Sequence, residues 1–243
     1  MLGRPDEAAA ERARMLQLGR ALGNIPSLAA ALAFHLHTGL CLGWDAATVQ
    51  EQSHTADELR VLCRDEGFFL WHAVALAYRG AAAAMQGRAE QACRLMNDGL
   101  AEFVQTGARL TLVPMNVMCA QAQLRLGDEA AAEKLLDAAQ AEADARNERL
   151  WEPEVDRIRG ALQRRRGDLA GAETALQHAL GKARGQGAVS LAQRAEADLH
   201  ALYLDSERAG QAQALIDAVA PVPNPACAAT ATPATPPVRA TIT

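Results

Sequence analysis

The 243-residue sequence predicts an all-α protein built from antiparallel helix pairs stacked as a right-handed α-solenoid with a period near 40. Three observations carry this. Ala is the commonest residue, 55 against only 15 Val plus Ile, so good helix formers dominate and the β-branched residues that favour strands are scarce. Glycine turns recur at Gly3, Gly43, Gly87, Gly127 and Gly167, at intervals of 40, 44, 40 and 40. After four of them Ala returns at one offset (Ala8, Ala92, Ala132, Ala172), followed four residues later by Met96, Leu136 and Leu176 in three cases.

The elements follow in order from these turns. Gly can take the left-handed conformation that ends one helix, and an Asp just behind it can cap the next. Gly3 opens a helix at 6–22, a second spans 26–42, and Asp45 behind Gly43 starts one at 45–65. A second series of breaks at Gly67, Gly107, Asn147 and Gly187 alternates with the first. Together they delimit helices at 68–85, 88–105, 110–126, 128–146, 151–166, 168–185 and 188–204. A degenerate turn, Asp205-Ser206-Glu207, stands where the next Gly is due and opens a last helix at 207–219. Apolar steps of three and four support the scheme, as in Leu110, Val113, Val117, Ala120 and Leu124, or Leu169, Ala172, Leu176 and Ala183. Small residues at Gly80, Ala120 and Gly160 should meet Ala92, Ala132 and Ala172 and let paired helices approach closely. The repeat domain is expected over 1–220. From 221 to 243 the chain is Pro-, Ala- and Thr-rich with one charged side chain, Arg239, and reads as a disordered tail.

The offsets Gly80…Gly87…Ala92…Met96, Ala120…Gly127…Ala132…Leu136 and Gly160…Gly167…Ala172…Leu176 resemble tetratricopeptide repeats, with a period near 40 in place of 34. This long-helix variant is similar to the C-terminal region of bacterial signalling proteins that carry a class III adenylate/guanylate cyclase and a STAND-type ATPase. Leu2-Gly3-Arg4-Pro5-Asp6-Glu7-Ala8, Asp65-Glu66-Gly67-Phe68-Phe69-Leu70-Trp71 and the Glu152–Gly160 segment look like that group. The resemblance implies a non-catalytic interaction or sensor array that restrains an ATPase module. A standalone adaptor of the same fold is the alternative, and an enzyme with an unrecognised site is a second. Because the chain opens on a mid-repeat turn, a C-terminal piece of a longer protein or a truncated gene product is expected.

The resemblance also implies that the first helix of each pair lines a concave groove. His37 and Met85, then Gln121 and Arg125, then Glu154, Arg157, Arg164 and Arg165 would face a protein or peptide partner, or another domain of the same parent. Trp71 and Trp151 are read as inter-repeat packing.

No catalytic, cofactor or metal site is expected. The sequence has no Gly-x-x-x-x-Gly-Lys-Ser/Thr loop for ATP, and no strand-borne Asp pair for cyclase chemistry. His35 and His37 point to different sides of a helix, and no Cys has a chelating neighbour. A net charge of −5 and few aromatics argue against nucleic acid. No stretch reads as apolar enough to cross a bilayer, and the acidic N-terminal stretch is unlike a secretory signal, so a cytoplasmic protein with reduced thiols is expected. The basic run Arg157, Arg159, Arg164, Arg165 and Arg166 reads first as a solvated helix end, with Glu142, Asp144, Glu148, Glu152 and Glu154 at hand to neutralise it.

Overall fold

Turn chemistry sets the element order. In a computed structural model that describes residues 4–43, 45 and 47–217, those residues form helices and no strand. The helices are α1 (Pro5–Ala21), α2 (Ile25–Leu42), α3 (Val49–Glu66), α4 (Phe69–Met85), α5 (Ala89–Gln105), α6 (Leu112–Leu126), α7 (Glu129–Arg146), α8 (Glu152–Arg165), α9 (Leu169–Gly185), α10 (Val189–Asp205) and α11 (Ala209–Asp217). Gly87, Gly127 and Gly167 all have φ between 74° and 90°, and behind each the next amide donates to a carbonyl five residues back. That bond satisfies a carbonyl the helix end would leave open. Where Gly is missing, Glu207 takes φ 58° and the same bond forms, Arg208 N to Tyr203 O at 2.8 Å. Asn147 does likewise in the second series, at φ 55°. The Gly3 turn and the tail at 221–243 lie outside the described residues.

Asp128 and Asp168 cap α7 and α9, each accepting from the amide three residues on at 2.9 Å. One boundary moves. Asp45 does not begin α3; its carboxylate accepts from the Thr48 amide at 2.8 Å while its own amide donates to Thr48 Oγ1, so a closed turn precedes the helix. α3 therefore starts at Val49.

Small residues control the spacing within pairs. A methyl group built on Gly80 would lie 2.6 Å from Met96 Cγ and 2.8 Å from the Met96 backbone nitrogen, and one on Gly160 2.8 Å from Leu176 Cγ. Ala92, Ala132 and Ala172 are wholly buried. Consecutive helices pack in pairs, and α2, α4, α6, α8 and α10 also touch next-but-one. These first helices lie inside: residues 73–84 of α4 are buried without a gap. The second helices bury one stripe each, such as Ala92, Met96, Gly99 and Phe103 on α5. The apolar core runs from Ala29 to Leu162, with a second cluster from Ala172 to Ala212.

The expectation that no stretch could span a bilayer needs correction. α2 is 18 residues long with mean hydropathy 1.4, long and apolar enough by length and composition to do so. The polar residues Ser27, His35, His37 and Thr38 interrupt its pattern in sequence but do not outweigh its Ala and Leu. In this fold its Ala29, Leu32, Ala33 and Leu36 are core residues, and α1, α3 and α4 pack against it.

Candidate functional site, a cavity inside the helix array

The inner faces of the first helices converge on a cavity of about 390 Å³. Its apolar floor comes from Ala81 and Met85 on α4 and Met118 and Ala122 on α6; Gln121 and Arg125 stand beside them. Arg157 of α8 and Arg194 and Asp198 of α10 form the opposite wall. A continuation of about 400 Å³ shares Gln121, Arg125, Arg157 and Asp198 and reaches Arg164 and Arg165.

The wall is a hydrogen-bonded charge network. Arg157 donates to both oxygens of Glu154 at 3.0 Å and to Asp198 at 2.7 Å. Arg194 donates to Glu154 at 3.3 Å, and its other terminal nitrogen reaches Leu40 O at 2.8 Å and Cys41 O at 2.7 Å. These carbonyls belong to the last turn of α2, 153 and 154 residues earlier, where a helix end favours a cation. Burial works to raise the Glu154 carboxyl, but Arg157 and Arg194 hold it below the usual carboxylate range. Burial likewise opposes the charge on Arg157, and Glu154 with Asp198 more than restores it. Both charges persist because each has partners on every side.

Of the eight residues expected to face a partner, six line these cavities: Met85, Gln121, Arg125, Arg157, Arg164 and Arg165. Glu154 lies beneath the surface, 3% exposed, as the anchor of both arginines. His37 lies apart. Its Nδ1 is 3.1 Å from the Tyr78 hydroxyl and its ring meets Trp151 edge-on, beside a small apolar cleft between Phe34, Trp71, Phe103 and Leu110. Burial pushes its pKa down.

The basic run is already matched by partners. Arg159 pairs with Asp137, Arg164 with Asp205, Arg165 with Glu129 and the Leu124 carbonyl, and Arg166 with Glu129 and Glu133. Of the acidic residues expected to neutralise the run, Glu154 does so; Glu142 is taken by Arg109 and Arg146, and Asp144 by Arg149. The partners lie a repeat away in sequence. Arg157 and Asp198, Arg164 and Asp205, and Arg165 and Leu124 are each 41 apart, so the period itself was the signal that locates them. Arg194 and Asp198 were missed for this reason. Arg125 and Gln121 have no side-chain hydrogen bond or ion pair among the described residues.

Among the described residues no group of three or more His, Cys, Asp or Glu side chains could hold a metal ion. Burial pushes the Cys63 thiol up to about 11 and Cys119 to about 12, so both are protonated and unreactive at neutral pH. No protein-family model matches the chain, and no curated protein matches it significantly.

Proposed function

We propose that the chain is a non-catalytic interaction array, a tetratricopeptide-like right-handed solenoid that binds a segment of another protein or of a neighbouring domain. The observation that carries this is the cavity itself: five first helices contribute to it, and Gln121 and Arg125 face it beside an adaptable methionine floor without partners of their own. A cavity of this size holds a few side chains, so the partner presents a short anchor and not a long helix. The sequence resemblance supports placing the array in a cyclase–ATPase signalling protein, where the bound segment would come from the ATPase module.

Panning a displayed peptide library on the full chain tests the reading. Enriched peptides should bind the unaltered protein and lose at least about tenfold in affinity to Arg125→Glu or Gln121→Lys, a loss of about 1.4 kcal/mol. Absence of any enriched sequence, or binding indifferent to both substitutions, would refute it. Arg164 and Arg165 are poorer probes, because replacing them breaks ion pairs that hold neighbouring helices together.

A further inference from the structure

Comparison of the repeats with one another exposes an incomplete ion pair. In α9, Glu173 accepts from Arg208 at 2.7 Å, and in α7, Glu133 accepts from Arg166 at 2.9 Å. The residue equivalent to both glutamates in α3, 120 and 80 positions earlier, is Ser53, and the residue equivalent to Arg208 is Arg88. The α3 unit thus has the arginine of the last unit without its carboxylate; the two units between have Cys93 with Asp128 and Glu133 with Asp168. Arg88 also stands where Asp128 and Asp168 cap later helices, and α5 has no side-chain cap. This unit thus has neither the cap of α7 and α9 nor a carboxylate opposite its arginine, and departures from local rules are expected at functional or strained sites.

A polar cavity of about 320 Å³ occupies that place, lined by Ser53, His54, Arg79, Gln86 and Arg88 with Asp57. Arg79 is 8% exposed. Its Nε donates to Asp57 at 2.7 Å, and its Nη1 has no hydrogen-bond partner among the described residues. Asp57 is shared with Arg60 at 3.5 Å, so one carboxylate serves two guanidinium groups and Arg88 has none of its own. Arg88 itself donates only to the neutral Gln86 amide. In a chain of net charge −5, this is a local excess of positive charge around an empty volume.

We infer that this cavity binds a small oxyanion, a phosphate or carboxylate group, whose oxygens take the place of the missing glutamate between Ser53, Arg79 and Arg88. Guanidinium groups and a hydroxyl supply the charge-assisted donors such a group needs, and the cavity has room for the molecule that carries it.

The experiment is a titration of the full chain with sodium phosphate and, separately, sodium acetate, against sodium chloride at equal ionic strength, following the Arg79 and Arg88 Nε–H resonances by NMR. A saturable shift with phosphate, acetate or both, absent with chloride, is expected; the salt that acts identifies the class of anion. Arg88→Gln, an exposed change, should weaken it at least about tenfold, the scale of one lost charge-assisted bond. Ser53→Glu should abolish it by restoring the internal pair. Equal responses to all three salts, no saturable response to phosphate or acetate, or undiminished binding by Arg88→Gln would overturn the assignment. If Ser53→Glu fails to fold, the Arg88→Gln comparison still decides.

Discussion

Gly80 has no room for a methyl group because the Met96 backbone nitrogen would lie 2.8 Å from it, and a backbone atom cannot swing aside. Gly80→Ala should therefore destabilise the protein by about 1–3 kcal/mol, measured by urea unfolding, despite the better helix propensity of Ala. Gly160→Ala should cost less, since its nearest obstacle is the movable Leu176 side chain. Glu207 presents the opposite case: it occupies a left-handed conformation that Gly adopts without strain, and Glu207→Gly should stabilise by about 1 kcal/mol. Such residues were legible in sequence. The offsets locate the close approaches, and the missing glycine is visible as a gap in a regular series. Gln52 was not legible. It stands where later repeats have Ala92, Ala132 and Ala172, fully buried against Gly39 with neither amide atom hydrogen-bonded, and only the packed pair reveals it.

At the scale of single helices, boundaries follow from which side chain satisfies the first free amides. Asp128→Ala and Asp168→Ala should each cost about 1 kcal/mol, read from the midpoint of chemical unfolding. Arg88→Asp, which supplies α5 with the cap its relatives have, should recover a similar amount. α2 carries a pH dependence. Burial lowers the pKa of His37, so the unfolded state takes up its proton first as pH falls. Its contribution to stability is then full above about pH 6.5 and declines as pH drops through the lowered folded value. Urea midpoints should fall between pH 7.5 and 5.5, less steeply in His37→Asn; an unchanged slope would count against this account. The start of α3 escaped the sequence because Asp45 and Thr48 suit a cap and a closed turn equally well.

For the molecule as a whole, pairing order was readable and curvature was not. The order of packing follows the chain, each first helix resting on the next. Among the described residues α10 meets the end of α2 through Arg194, which also bounds the inner cavity. Arg194→Ala should leave the helix content intact by circular dichroism and enlarge the radius of gyration in solution scattering. Amides of α10 and α11 should then exchange faster than those of α4, as the last pair loses its tie to the first.

That tie also constrains how many units can lie between α2 and α10. A stack held only by neighbours tolerates an added or deleted unit anywhere along its length. In this chain a forty-residue unit inserted at the Asn147 turn would carry the guanidinium past the carbonyls it serves, with Glu154 moving along with it. The number of helix pairs between α2 and α10 is held by this contact, so relatives that keep Arg194 and the end of α2 should differ in loops and seldom in the count of pairs between them.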